Sequence, residues 1–158
     1  MKNEEEVIDF ERSIGPWIGK TVKMVDYHLQ EAFDTAGLDI TKEQMIILKK
    51  LHDEDGLPQN ELALLTYRDK SSLARLLATM ERKEVIVRIQ SKRDKRINKV
   101  YLTEKGRLLF KNTRPVIKHI LEVMENGISD QEKHTIIEIL KKIQINFEAK
   151  TVSLQNTL

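Results

Sequence analysis

Apolar residues recur every three to four positions from Pro16 to about Ala36. Ile18, Val22, Val25, Leu29, Ala32 and Ala36 fall on one stripe, which predicts a long amphipathic helix. Proline suits its first turn, where an amide hydrogen would have no partner, and Gly37 closes it. Residues 4–12 are expected to add a short helix before it. Thr41-Lys42-Glu43-Gln44 reads as a capping box opening a second helix to about His52, with Met45, Leu48 and Leu51 inward. A polar turn, Asp53 to Gly56, and Leu57-Pro58 lead into a short helix from Gln59 to Leu65, with Leu62, Ala63 and Leu65 inward. Asp69 then caps a helix from Lys70 to about Lys83. Its Leu73, Leu76, Leu77 and Met80 stand at i, i+3, i+4 and i+7, a core stripe, and Leu76→Ala is expected to cost about 2–5 kcal/mol.

The period then changes to two. Val85, Val87 and Ile89 alternate with Ile86, Arg88 and Gln90, and a second strand runs from Ile97 to Leu102 with Val100 and Leu102 on one side. The charged stretch Ser91 to Arg96 joins them as a hairpin loop. Thr103 caps a helix to about Glu125, which Pro115 should kink or break. After Gly127, Ser129-Asp130-Gln131-Glu132 is another capping box. The last helix carries Ile136, Leu140, Ile143 and Phe147 on one stripe with Ile137 beside it, and frays after Lys150.

Four helices, a hairpin and two helices predict a mainly α chain with a small β-hairpin wing. Residues 1–40 and 104–158 are read as dimerisation helices around a winged helix-turn-helix lobe at 41–103, one domain overall. The end helices carry more apolar surface than such a lobe can cover, which points to a two-fold homodimer.

Composition narrows the function. No run of roughly 18 apolar residues exists to span a membrane, and the acidic start, Met1 to Glu6, is unlike a secretory leader. A cytoplasmic location is expected. Without cysteine, disulfides, thiolate metal sites and thiol redox sensing are excluded. The net charge of +2 conceals an asymmetry. Residues 68–99 hold eleven basic against four acidic residues, and the rest of the chain holds 16 basic against 21 acidic. One basic face on an otherwise acidic chain fits a polyanion partner.

Several runs in order resemble the MarR family of transcription regulators. Gly37 to Gln44 with Leu48 and Leu51 is similar to the family's second helix. Glu61-Leu62-Ala63, Asp69 to Leu77 and Met80-Glu81-Arg82-Lys83 are similar to its helix-turn-helix. Asp94-Lys95-Arg96 before Val100, Leu102-Thr103 and Gly106 resembles its wing. The likeness spans roughly residues 13–148. One departure is Glu84, where the family usually has glycine; a left-handed cap without glycine costs roughly a kcal/mol.

The resemblance implies that helix 69–83 enters the major groove of double-stranded DNA while the wing reaches the flanking minor groove. Arg75 is then the base-reader, since a guanidinium pairs bidentately with guanine. Lys70, Ser71 and Ser72 in the first turn suit phosphate, and Arg82 is read as a phosphate or solvent residue. Arg96 is the minor-groove probe, where a narrow groove concentrates negative potential. Asp94 orients it, and Lys92, Arg93 and Lys95 neutralise phosphates.

The resemblance also implies a regulator, read as a repressor, released by a small aromatic or lipophilic effector. Trp17, Tyr27, His28 and Met45 are the candidate pocket residues, with core or interface packing as the competing reading. His28, His52, His119 and His134 are scattered and no two share a ligand spacing, so neither a metal nor a cofactor is expected. There is no phosphate-binding glycine loop, nucleophile elbow or carboxylate–histidine cluster, hence no catalytic residue and no enzyme. The rival function is a winged-helix module whose basic face meets an acidic protein.

Overall fold

A computed structural model describes residues 7–155, with side chains to residue 150. The chain divides into two compact units, Met1–Leu121 and Glu122–Leu158. In order, the elements are α1 (Ile14–Thr35), α2 (Lys42–Asp53), β1 (Leu57–Pro58), α3 (Gln59–Leu65), α4 (Lys70–Arg82), β2 (Ile86–Gln90), β3 (Asn98–Leu102), α5 (Glu104–Met124) and α6 (Asp130–Gln155).

The helix expected at 4–12 does not form over residues 7–12; its first part lies outside the described residues. Asp9 Oδ1 accepts the amides of Glu11 and Arg12 at 3.1 and 3.2 Å, and Ser13 Oγ donates to the Asp9 carbonyl. A short acidic side chain thereby offers the backbone an alternative to helix. Pro16 remains in the first turn of α1, which starts at Ile14. Both capping boxes form. Thr41 Oγ1 accepts from the Gln44 amide while Gln44 reaches back to the Thr41 amide, and Ser129 and Glu132 do the same at α6.

The hairpin gains a strand that periodicity could not reveal. β3 is central, paired with β2 from Ile86↔Leu102 to Gln90↔Asn98, and with β1 through Leu57↔Val100 and Pro58↔Lys99. Two residues ending in proline carry no alternation, and proline fits an edge strand. Asp55 anchors this corner: its carboxylate accepts from the Leu102 amide at 2.9 Å and from Arg107 on α5 at 2.6 Å.

The core gathers Phe33, Ile40, Ile47, Leu48, Leu51, Leu62, Leu73, Leu77, Met80, Ile86 and Val100. Three expectations shift. Ile47 is buried while Met45 sits at the core edge, Leu76 is half-buried beside the core, and Leu65 is exposed on α3. α5 runs through Pro115 without a break; proline leaves the Lys111 carbonyl without its usual amide partner, but the flanking turns continue. α6 extends to Gln155, past the expected fraying point at Lys150.

Candidate nucleic-acid interface

α4 begins on a firm cap. Asp69 Oδ1 accepts the Ser72 amide at 2.8 Å and the Ser71 hydroxyl at 2.9 Å, and these bonds hold its carboxyl below the ordinary range. Ser72 is committed inside the protein, because its hydroxyl also pairs with Arg68 at 2.9 Å. Lys70, Ser71 and Arg75 are exposed on the opposite side from Leu73, Leu77 and Met80. Arg82 is exposed too and donates to Thr79 Oγ1.

The helix leaves through the departure noted at Glu84. That residue takes φ 61°, the Val85 amide reaches the Met80 carbonyl, and the Glu84 amide reaches the Glu81 carbonyl. This is a Schellman ending built on a non-glycine residue. Tyr67 ends α3 the same way, at φ 53°.

The wing loop is tied at several points. The Ser91 amide donates to the Ile97 carbonyl at 2.7 Å, Ile97 to Asp94 at 3.0 Å, and Gln90 Nε2 to the Lys95 carbonyl. Asp94 grips Arg96 with a fork, Nε to Oδ1 and NH2 to Oδ2 at 3.1 Å each, and also accepts the Arg96 amide. Arg96 holds the Asp94 carboxyl below its usual value. The Arg96 side chain is nevertheless 90% exposed, so the fork aims the guanidinium without hiding it. Lys92, Arg93 and Lys95 are exposed around it.

Helix and wing meet at a cleft of about 300 Å³ lined by Gln59, Asn60, Lys70, Leu73, Arg96, Ile97 and Asn98. Lys70 from α4 and Arg96 from the wing thus open onto one concavity, with the buried Gln59 Oε1 unpartnered in its vicinity. Such a recess between two cationic elements can seat an anionic strand.

Two of the eleven basic residues are spent internally. Lys83 bonds Asp39 Oδ1 at 2.8 Å and Gln44 Oε1 at 3.1 Å. Arg88 forks onto Glu81, which also accepts the Arg88 amide at 3.1 Å. Charge counting missed both pairs. Glu81 and Arg88 lie seven residues apart, too far for a helix pair, and only the hairpin fold joins them.

The structure does not bring the candidate effector residues together in one protomer. Trp17, Tyr27 and His28 are exposed, and Met45 is half-buried. Trp17 and Tyr27 are separated by ten residues of one helix, roughly 15 Å. Trp17 Nε1 donates to the Glu11 carbonyl, and Tyr27 meets His28 edge-on.

The profile of the MarR family matches residues 40–97. The uncharacterized HTH-type transcriptional regulator YybA of Bacillus subtilis is 30% identical over 70% of this chain and 74% of its own length. The fold superposes on the Staphylococcus aureus MepR–DNA complex with a TM-score of 0.78 at 23% identity, over 85% of this chain and 98% of that one. Bordetella bronchiseptica BpsR, described as regulated in its DNA binding by 6-hydroxynicotinic acid, gives 0.79 at 18% identity, over 87% and 97%. The capped α4, the forked wing and the sequence kinship agree, and the chain belongs to the MarR family of transcriptional regulators.

Proposed function

We propose that the protein binds a pseudo-palindromic operator as a homodimer and represses transcription in the cytoplasm, without catalysis or cofactor. α4 enters the major groove, where Arg75 reads a base and Lys70, Ser71 and Arg82 face phosphate. Ser72 has a structural part, because its hydroxyl is already engaged with Arg68. Arg96 enters the minor groove, oriented by Asp94, while Lys92, Arg93 and Lys95 neutralise the flanking backbone. The observation that carries this reading is the exposed, forked Arg96 opening onto the same cleft as Lys70 of α4.

Dimerisation rests on a physical demand. No side chain of α6 from Asp130 to Lys150 is buried, and Ile136, Ile137, Ile139 and Ile145 are exposed. A partner chain is the ordinary cover for such a surface. The two protomers then address half-sites about 34–36 Å apart. A small aromatic or lipophilic effector is the regulatory reading, supported by the ligand named for BpsR; a site using Trp17, Tyr27, His28 or Met45 would have to be completed by the second protomer.

The test is a mobility shift on the promoter beside the protein's own gene, with competitor DNA at fixed salt. Arg96→Ala should weaken binding while leaving the melting temperature in place. Arg75→Ala should relax preference at one position of each half-site by about 1–3 kcal/mol. Unchanged affinity with Arg96→Ala ends the wing assignment, and a loss with Arg75→Ala that is uniform over all sequences makes that residue a phosphate contact.

A further inference from the structure

The wing is anchored at its base and free at its tip. Ile86, Val100 and Leu102 are buried, but from Ile89 to Lys99 no residue of the hairpin is buried. At the border of these halves, Arg88 on β2 reaches Glu81 in the last full turn of α4. The contacts are Nε to Oε2 at 3.3 Å, NH2 to Oε1 at 3.0 Å, and the Arg88 amide to Oε2 at 3.1 Å. Among the described residues, no other side-chain hydrogen bond or ion pair joins α4 to the wing. Both partners are partly shielded, with side-chain exposures of 26% and 39%, and Arg88 holds the Glu81 carboxyl below its usual range. A fork plus a backbone bond restrains rotation as well as distance.

From this we infer that Glu81 and Arg88 are positioning residues. They act as a strut fixing the angle between α4 and the wing, so that Arg75 and Arg96 address adjacent grooves together. The inference rests on the DNA-binding reading above and adds the device that links its two halves. The lever arm explains why the link matters. Arg88 pairs with Val100 across the ladder, and Arg96 lies four residues from Val100, at most roughly 13 Å beyond the strut. A pivot of about 15° at the strut would displace it by about 3 Å, half the roughly 6 Å width of the minor groove. The core holds the hairpin as far as Val100, the partner of Arg88 across the ladder, and the fork adds a polar restraint at this last anchored rung.

Charge and geometry make opposite demands, which gives the test its edge. Glu81→Gln removes a negative charge beside the DNA-facing helix, and Coulomb attraction alone would then tighten DNA binding. Loss of the strut would weaken it. Operator affinity is measured at fixed salt for wild type, Glu81→Gln, Arg96→Ala and the double variant, with thermal unfolding to verify folding. Arg88→Lys is the parallel variant, since it keeps the cation and removes the fork. Expected are a weakening of about tenfold for Glu81→Gln and for Arg88→Lys, and non-additivity with the wing. Arg96→Ala should cost about tenfold in the wild-type background and less than about threefold beside Glu81→Gln, because an unaimed probe contributes little. Equal cost in both backgrounds, or tighter binding by Glu81→Gln, overturns the strut while leaving DNA binding intact. No cost of Arg96→Ala in wild type overturns the wing reading and the strut with it.

Discussion

A methyl group at position 106 would stand 2.0 Å from the Val85 carbonyl oxygen, and that oxygen already accepts the Thr103 amide at 3.2 Å. Neither group is a flexible side-chain end that can step aside. Gly106→Ala is therefore expected to destabilise the protein by about 3 kcal/mol, the upper end for overpacking, read from urea unfolding; a change below about 1 kcal/mol would mean that the backbone at Val85, just before β2, does not meet α5 there. The run Leu102-Thr103 with Gly106 was legible as a family signature, yet its cause was not, because Val85 lies 21 residues from Gly106. Thr103 has two roles at this junction: its hydroxyl donates to the Glu84 carbonyl at 2.6 Å and accepts the Gly106 amide at 3.0 Å. Glu84 itself holds a backbone conformation costly for any side chain, at φ 61°. Glu84→Gly should raise stability by about 0.5–1 kcal/mol, less whatever the exposed ion pair to Lys105 contributes. A loss of stability on calorimetric melting would show that the side chain matters more than the strain.

At the scale of elements, what could be read depended on repeat length. α4 has thirteen residues and a full apolar period, so its buried face was evident. Even so, the spacing i, i+3, i+4, i+7 could not rank its members: Leu73, Leu77 and Met80 are fully buried and Leu76 is not. Leu77→Ala should accordingly cost about 2–5 kcal/mol and Leu76→Ala clearly less, the reverse order refuting the packing described. β1, two residues long, has no period to read. The wing was legible through its charges, and its fork adds a dependence on pH with a definite sign. Because Arg96 holds the Asp94 carboxyl below its ordinary value, the pairing favours the ionised form. Its contribution is complete above the ordinary aspartate range near ~3.9 and is lost as pH falls through the lowered value. An NMR titration of the Asp94 side chain should show its midpoint below the usual range, and Arg96→Ala should return it upward. The same midpoint in both proteins would mean the fork does not persist in solution.

For the whole molecule, the number of cations left for DNA once internal pairs are removed sets how steeply binding depends on salt. Lys83 and Arg88 are engaged by Asp39 and Glu81, Arg68 and Lys99 are half-buried, and Arg75 and Arg96 are proposed to face bases and the minor groove, which leaves Lys70, Arg82, Lys92, Arg93 and Lys95 exposed for phosphate. Each phosphate neutralised contributes about −0.9 to the slope of log affinity against log salt. Five phosphate contacts per protomer bound the slope near roughly −4.5 for one lobe and twice that for a dimer with both lobes engaged. A second copy therefore adds electrostatic reach as well as covering apolar surface. Placing glutamates at two exposed isoleucines on one face of α6, three residues apart, Ile136→Glu with Ile139→Glu, tests the connection. In sedimentation the variant should run as a monomer, and its salt slope on the full operator should fall to about half that of wild type. A monomer that kept the full slope would show that one lobe supplies every phosphate contact and that two-fold binding contributes nothing to affinity.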